Sequence, residues 1–411
     1  MRRPFLSAVL SFLIAAKAFG ADAAPVGKFD GHQDIGAVLH PGNVVYDPTK
    51  QTYTITGSGE NMWFTNDAFQ FLWKKVSGDY LLAADIAFEG TGGNPHRKAV
   101  LVVRQTLDAD SAYADAARHG EGLTSLQSRE EKGATTHEIQ ANVSGPARLA
   151  IEKRGSYVYM LVGEQGKMAR SGGSKRLELS GPYYIGLGVC SHDKDVSETA
   201  VFSNVDLHAL PAAEPRLYST LETITVTSTD RRVVYVAPER FEAPNWSKDG
   251  ASLFFKHAGR IERIAVKGGS PEPVDAGEGS ETPVTRDAGH NDGREYSPDG
   301  SFIYFHSDRG GSMQIWRMHP DGSDVEQVTS DEFNNWFPRL SPDGTQMAML
   351  SYGKQVSAHH ENKDVQIRLM QLGDKKIRIL AKLFGGQGTM NVPSWSPDGK
   401  RLAFVSYQLV P

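Results

Sequence analysis

Four copies of one short motif limit what this chain can fold into. Pro244-Asn245-Trp246-Ser247-Lys248-Asp249-Gly250, Arg294-Glu295-Tyr296-Ser297-Pro298-Asp299-Gly300, Pro338-Arg339-Leu340-Ser341-Pro342-Asp343-Gly344 and Pro393-Ser394-Trp395-Ser396-Pro397-Asp398-Gly399 align, with their serines 50, 44 and 55 residues apart. Each runs into a β-rich stretch, such as Phe302-Ile303-Tyr304-Phe305 or Leu402-Ala403-Phe404-Val405. Proline presets φ, aspartate accepts backbone N–H groups and glycine takes the left-handed position, so two antiparallel strands join tightly. A motif that returns every 40–55 residues with several strands per unit predicts propeller blades. Three repeats are complete. The last, Trp395 to Pro411, holds about two strands, and Leu221 to Ala237 holds two more. The economical expectation is a closure blade shared by the two ends of the domain, about four blades in all.

Before the repeats lies a different pattern. Tyr80–Phe88, Lys98–Arg104, Ala147–Glu152, Tyr157–Val162, Tyr183–Val189 and Ala200–Leu207 read as strands between Gly-rich turns. This predicts a β-sandwich of the jelly-roll type over residues 25–210. Leu210-Pro211-Ala212-Ala213-Glu214-Pro215 reads as the linker, and the propeller is expected over 216–411. The fold class is therefore all-β.

The N-terminus reads as a processing signal over residues 1–20. Arg2 and Arg3 precede the short apolar run Phe5–Ala16, and Ala18 and Gly20 suit a cut before Ala21, with Ala21-Asp22-Ala23 as a second choice. Left uncut, the same segment is an N-terminal anchor. Cleavage removes Arg2, Arg3 and Lys17 and takes the net charge from −5 to −8. No integral span is expected after signal removal, and the location is periplasmic or secreted. The balanced charge gives no sign of a nucleic-acid partner. Cys190 is the one cysteine, and its apolar setting reads as a small buried hydrophobe.

The repeats resemble the TolB-type propeller family over Tyr218 to Pro411. The likeness includes Gln314-Ile315-Trp316-Arg317-Met318-His319-Pro320-Asp321-Gly322, Asn334-Asn335-Trp336-Phe337-Pro338, Gly385-Gly386-Gln387-Gly388 and Asn391-Val392-Pro393-Ser394-Trp395-Ser396. The first part resembles concanavalin-like lectin/glucanase sandwiches, by strand pattern and by Asn61-Met62-Trp63-Phe64. The TolB resemblance implies a partner-binding protein of the cell envelope, with no enzyme activity and no cofactor. Such propellers usually have six blades, so this chain is either a four-bladed ring or an internally deleted relative, with the shortfall between Lys267 and Gly293.

The resemblance also implies that segments before each innermost strand face the propeller mouth. The expected partner-binding residues there are Trp336, Phe337, Asn335, Arg294, His290, Asp292, Glu242 and Asn391. The plainer use of Trp336 is packing between blades. His290, Asp292 and Glu295, with Glu242 and His359-His360, could make an acid/base or metal site. No HExxH, paired-ligand spacing or nucleophile motif supports one, so no metal and no catalytic residue is assigned.

In the sandwich, Asp115, His119, Gln127 and Arg129 fall around two expected strands, Ala112–Ala116 and Thr124–Ser128. Trp63, Trp73 and Tyr113 are aromatics near them in sequence. A lectin-like face would stack sugar rings on such aromatics and hold hydroxyls with such polar groups. Against this, both tryptophans could simply fill the core. The expected partner is an envelope protein or a glycan. The alternative is a carbohydrate-active hydrolase or lyase with its site in the propeller, and a third reading is a pure scaffold.

Overall fold

The computed structural model describes residues 25–274 and 291–410, apart from 92, 165 and 213. The leader read at residues 1–20 lies outside them, as does His290. All regular elements among the described residues are strands. Two large sheets face one another over residues 31–209. One runs Gly31–Ile35, Phe69–Val76, Tyr183–Cys190, Lys98–Arg104, Tyr113–His119, Thr124–Arg129 and His137–Gln140 in spatial order. The other runs Lys167–Ala169, Tyr157–Glu164, Arg148–Arg154, Tyr80–Phe88, Asp193–Ala209, Thr52–Gly59 and Asn43–Asp47. Leu72, Leu101, Leu126, Ile151, Met160 and Phe202 lie in the shared core between them. Period-2 alternation sends every second side chain of the first sheet into this core and leaves the other set for the outer face.

The four repeat turns share a device the motif does not announce. In each, the serine hydroxyl donates to the aspartate: Ser247 to Asp249 at 2.6 Å, Ser297 to Asp299 at 2.5 Å, Ser341 to Asp343 at 2.6 Å and Ser396 to Asp398 at 2.6 Å. The same hydroxyl accepts the amide five residues on, at 2.9 Å in every copy. The glycines sit at φ of +67° to +71°, the left-handed region where a Cβ is penalised. Serine thus ties the first strand to the second across each turn.

Three blades are complete four-stranded sheets. Blade 1 is Phe241–Trp246, Ser252–His257, Arg260–Ala265 and Glu272–Val274. Blade 2 is Asn291–Tyr296, Ile303–Ser307, Gln314–Met318 and Glu326–Gln327. Blade 3 is Asn334–Leu340, Gln346–Tyr352, Glu361–Gln371 and Ile377–Gly386. The closure blade pairs Arg401–Val410 with Arg216–Thr225, in a register that sets Thr223 opposite Ala403 and Ile224 opposite Leu402. The bridge from Trp395 to Leu402 supplies its innermost segment. The expected shared blade is therefore present. Inside it, Arg231 and Glu222 form a buried ion pair at 2.6 Å, and Ser406 donates to Glu222 at 2.5 Å.

Neighbouring blades meet in a repeated way. A Cβ at Gly250 would lie 3.7 Å from Pro397, one at Gly399 3.7 Å from Pro342, and one at Gly344 3.7 Å from Pro298. The Trp246 indole donates to the Ser394 carbonyl at 3.0 Å, and the Trp395 indole to the Arg339 carbonyl at 2.8 Å. The spatial order is therefore blade 1, closure blade, blade 3, blade 2. At the fourth junction the pattern stops. Nothing lies within 4 Å of the Gly300 position, and Tyr296, in the place of Trp246 and Trp395, is 57% exposed. Among the described residues the four blades form an arc, not a closed four-bladed ring.

The linker does not separate the domains in space. His137–Gln140 pairs in parallel with Arg231–Ala237 through Ile139↔Arg231 and Gln140↔Arg232, so the sandwich sheet continues into the closure blade. Tyr157 donates to Asp364 at 2.9 Å, Arg176 pairs with Asp364 at 3.1 Å and Lys382 with Glu130 at 3.6 Å. The arc makes a direct prediction. Trp395→Ala should cost about 3–5 kcal/mol, as loss of a buried tryptophan does, whereas Tyr296→Ala should stay within about 0.5 kcal/mol. Urea unfolding of the two variants checks this; equal losses would mean that blade 2 is covered.

Candidate functional site

The propeller-mouth residues fall into three groups. Trp336, Phe337 and Asn335 are buried, which corrects the expectation of open contact residues. Trp336 packs among Phe337, His306 and His359, with ring centres 4.7 Å from each histidine. Asn335 is bound up in polar contacts, donating to Gln314 and Asp331 at 3.0 Å each and accepting from Ser351 at 2.7 Å. These residues hold blades 2 and 3 together because a buried amide needs partners. Glu242 and Asn391 are half-buried. Glu242 faces Lys256 at 3.6 Å, and Asn391 accepts the Gly388 amide at 3.1 Å. Glu295 is tied to Arg339 at 3.0 Å, and Arg294 is exposed. His290 and the side chain of Asp292 lie outside the described residues. No group able to hold a metal ion occurs among the described residues.

The sandwich brings its candidates together. On the outer face of the first sheet, Asp115 lies opposite Gln127 and Lys98 opposite His119. All four are buried. Lys98 donates to Asn61 Oδ1 at 2.9 Å, the Met62 carbonyl at 3.0 Å and Gln127 Oε1 at 3.1 Å. Neither Asp115 oxygen has a hydrogen-bond partner, nor has His119 Nδ1. Such groups cost stability unless a function keeps them. Trp73 and Tyr113 lie on the same face, with Tyr113 buried and its hydroxyl donating to the Met62 carbonyl at 3.3 Å.

A hairpin crosses this face. Met62–Trp63 pairs with Asn66–Asp67, leaving Phe64 at the turn. Phe64 has φ of +50°, a conformation that is strained for a bulky residue, and its side chain is 67% exposed. Its carbonyl is held firmly. Arg129 donates to it from Nη2 at 3.2 Å and Nε at 3.3 Å, and Thr136 from its amide at 2.9 Å and hydroxyl at 3.0 Å. Arg129 is itself fully buried, paired with Asp67 at 2.8 Å and lying 4.9 Å from the Tyr113 ring centre. Arg129 therefore holds the hairpin from within and does not itself face a ligand, which corrects its expected place on an open lectin-like face. Beside the hairpin opens a cleft of about 790 Å³, lined by Glu60, Asn61, Trp63, Phe64, Thr65, Asn66 and His192 among others. A second cleft of about 400 Å³ lies between the domains, and its cations are already matched, Lys175 with Glu130 at 2.8 Å, Arg231 with Glu222 and Lys382 with Glu130. Asp67, Lys98 and Arg104 were not candidates from sequence. The signal for Lys98 and Arg104 was a charge at each end of an otherwise apolar strand; Asp67 had none.

Comparison with known proteins covers mainly the second half. The family model PD40, described as the TolB beta propeller domain, matches residues 215–408. An uncharacterized protein of Agrobacterium fabrum is 33% identical over 270 residues, covering 46% of this chain and 92% of the relative. A TolB homolog of Chlorobium luteolum is 30% identical over 138 residues, 26% of this chain and 32% of that protein, so this match spans about a third of the relative's length. The solved structure of a putative TolB from Agrobacterium tumefaciens is 32% identical, covering 48% of this chain and all of that one, with a TM-score of 0.45. In the Agrobacterium fabrum match, 270 positions face only 46% of this chain. Roughly 80 positions thus have no counterpart here, about two repeats of a propeller.

Burial gives the sandwich face a pH signature. Burial pushes the Asp115 carboxyl up to about 8, opposed by the Lys98 charge. Burial and Lys98 hold the His119 imidazole down at about 2. An unfolded aspartate loses its proton near pH 4, while folded Asp115 keeps it to about 8. Folding therefore grows less favourable as pH rises through that window and levels off above it. His119 acts in the opposite sense, removing stability as pH falls from 6.5 toward 2. Asp115→Asn should therefore flatten the stability profile between pH 6.5 and 8 and be more stable than the parent at pH 8. Urea unfolding across pH checks it; an unchanged slope would mean that Asp115 is ionised in the fold.

Proposed function

The chain belongs to the TolB-type β-propeller family through residues 215–408, and on that footing we propose that it is a binding protein of the cell envelope, periplasmic or secreted, whose recognition site is the sandwich cleft and whose ligand is a glycan. The observation that carries this reading is Phe64. A protein gains nothing for folding by exposing a bulky aromatic in a left-handed backbone conformation and then bolting that backbone with a buried arginine. Such an arrangement makes sense for a contact residue whose position is set in advance, because preorganisation lowers the ordering cost of binding. Trp63 beside it, with Asn61, Asn66 and Glu60 in the same cleft, supplies an aromatic surface and polar groups of the kind that sugar rings and hydroxyls require.

In this reading the propeller provides a rigid base, and the strand continuity at Ile139 fixes the cleft relative to it. The mouth residues support partner binding less well, since Trp336, Phe337 and Asn335 serve packing. The test is a glycan array probed with the mature protein, beside Phe64→Ala and Trp63→Ala. Phe64→Ala should lose about tenfold or more in affinity, the size of a hot-spot loss, with an unchanged unfolding midpoint, because the side chain faces solvent. Binding that survives both variants would move the site away from the cleft.

A further inference from the structure

The loops around the sandwich cleft carry an excess of one charge. We infer that the cleft selects glycans free of acidic groups, favouring amino sugars over neutral ones and rejecting uronates; this rests on the cleft being the recognition site. Glu60 lines the cleft, Ala109 lies between Asp108 and Asp110, and His192 precedes Asp193 and Asp195. Two lysines answer these five carboxylates. Lys132 pairs with Asp108 at 2.6 Å and Asp110 at 3.5 Å, and Lys194 with Asp195 at 2.6 Å. Three negative charges remain uncompensated on the loops.

The groups behind the cleft wall do not reverse this sign. Lys98, Arg104 and Arg129 stand close to Asp67 and Glu138 and to Asp115, which keeps its proton to about pH 8, so the wall carries one excess positive charge against the three negative ones on the loops. The Lys98 ammonium has all three of its N–H groups engaged and sits 5.5 Å from the Trp63 ring centre. Arg129 and Arg104 share Asp67. None of these cations offers a donor to a carboxylate in the cleft: Arg104 and Arg129 are fully buried, and Lys98 is satisfied. A uronate ring would therefore meet the loop charges without a matching cation, whereas an ammonium group on a sugar would meet carboxylates. Exposed charges act weakly at a distance, so the effect is a matter of several-fold steps per charge, strongest within a Debye length of about 8 Å at physiological salt.

The test is an array of amino-sugar, neutral and uronate oligosaccharides probed with the mature full chain at about 20 mM and about 500 mM salt, beside the Asp193→Asn variant. The expected order is amino sugar, neutral, uronate, with at least about a tenfold spread between the ends at low salt. High salt and the variant should both compress that spread, and the variant should keep its binding to neutral sugars. Uronate binding equal to or tighter than neutral binding overturns the charge rule and leaves the cleft as a sugar site. Binding of none of the three classes overturns the rule together with the reading beneath it.

Discussion

The ladder between Arg216–Thr225 and Arg401–Val410 joins the first strand of the propeller to the last, and everything else is arranged around it. A β-sheet edge left open is a hazard, since its free N–H and C=O groups pair with whatever strand comes near. This ladder closes the two ends of the propeller domain against each other. Its outer neighbour, Arg231–Ala237, then receives His137–Gln140 from the sandwich. One sheet of ten strands thus runs from the outer edge of the first domain to the closure blade of the second. The buried Arg231–Glu222 pair lies inside this sheet, with Ser406 and the Phe404 ring beside it. A buried ion pair is weak evidence for stability on its own. Here it ties the second strand of the domain to the first, and through Ser406 to the last.

The sandwich concentrates several costly features around one cleft. The Asp115 carboxylate oxygens and His119 Nδ1 are buried without hydrogen-bond partners, and Phe64 is held in a strained conformation. Each departs from what folding alone favours, and all three lie on one face of one sheet or on the hairpin across it. The propeller carries departures too, such as Phe337 at φ of +53° and the buried Trp336 indole N–H without an acceptor, while Asn335, Gln314 and Asp331 satisfy one another there. Local conflicts with folding rules concentrate at functional sites. Phe64 differs from Phe337 in exposing its side chain, and that exposure supports the proposed site in the sandwich cleft.

Most of the architecture could be read from the chain because its rules are local. The four turns repeat the same residues, and their strands follow from alternation. The role of serine in the turn was not readable, because its hydroxyl bonds a residue five positions on that differs in each copy: Ser252, Phe302, Gln346 and Arg401. The missing fourth junction was visible only as a short count of repeats; its physical mark, an exposed Tyr296, depends on what is not beside it. Trp336 and Phe337 looked like contact residues because aromatics serve recognition and packing alike, and only burial separates the two uses. Arg129 bonds across 62 positions to Asp67, a distance over which no periodicity carries information. Asp115, His119 and Gln127 were found because neighbouring antiparallel strands bring nearby residues face to face.

Hydrogen exchange of the mature protein, with and without a glycan that it binds, tests the placement of function most directly. The account predicts slowed exchange in Asn61–Asp67 and around His192, with the propeller-mouth segment Gln387–Asn391 unchanged. Slowed exchange at Gln387–Asn391 alone, with the hairpin unaffected, would contradict it and return the binding site to the propeller.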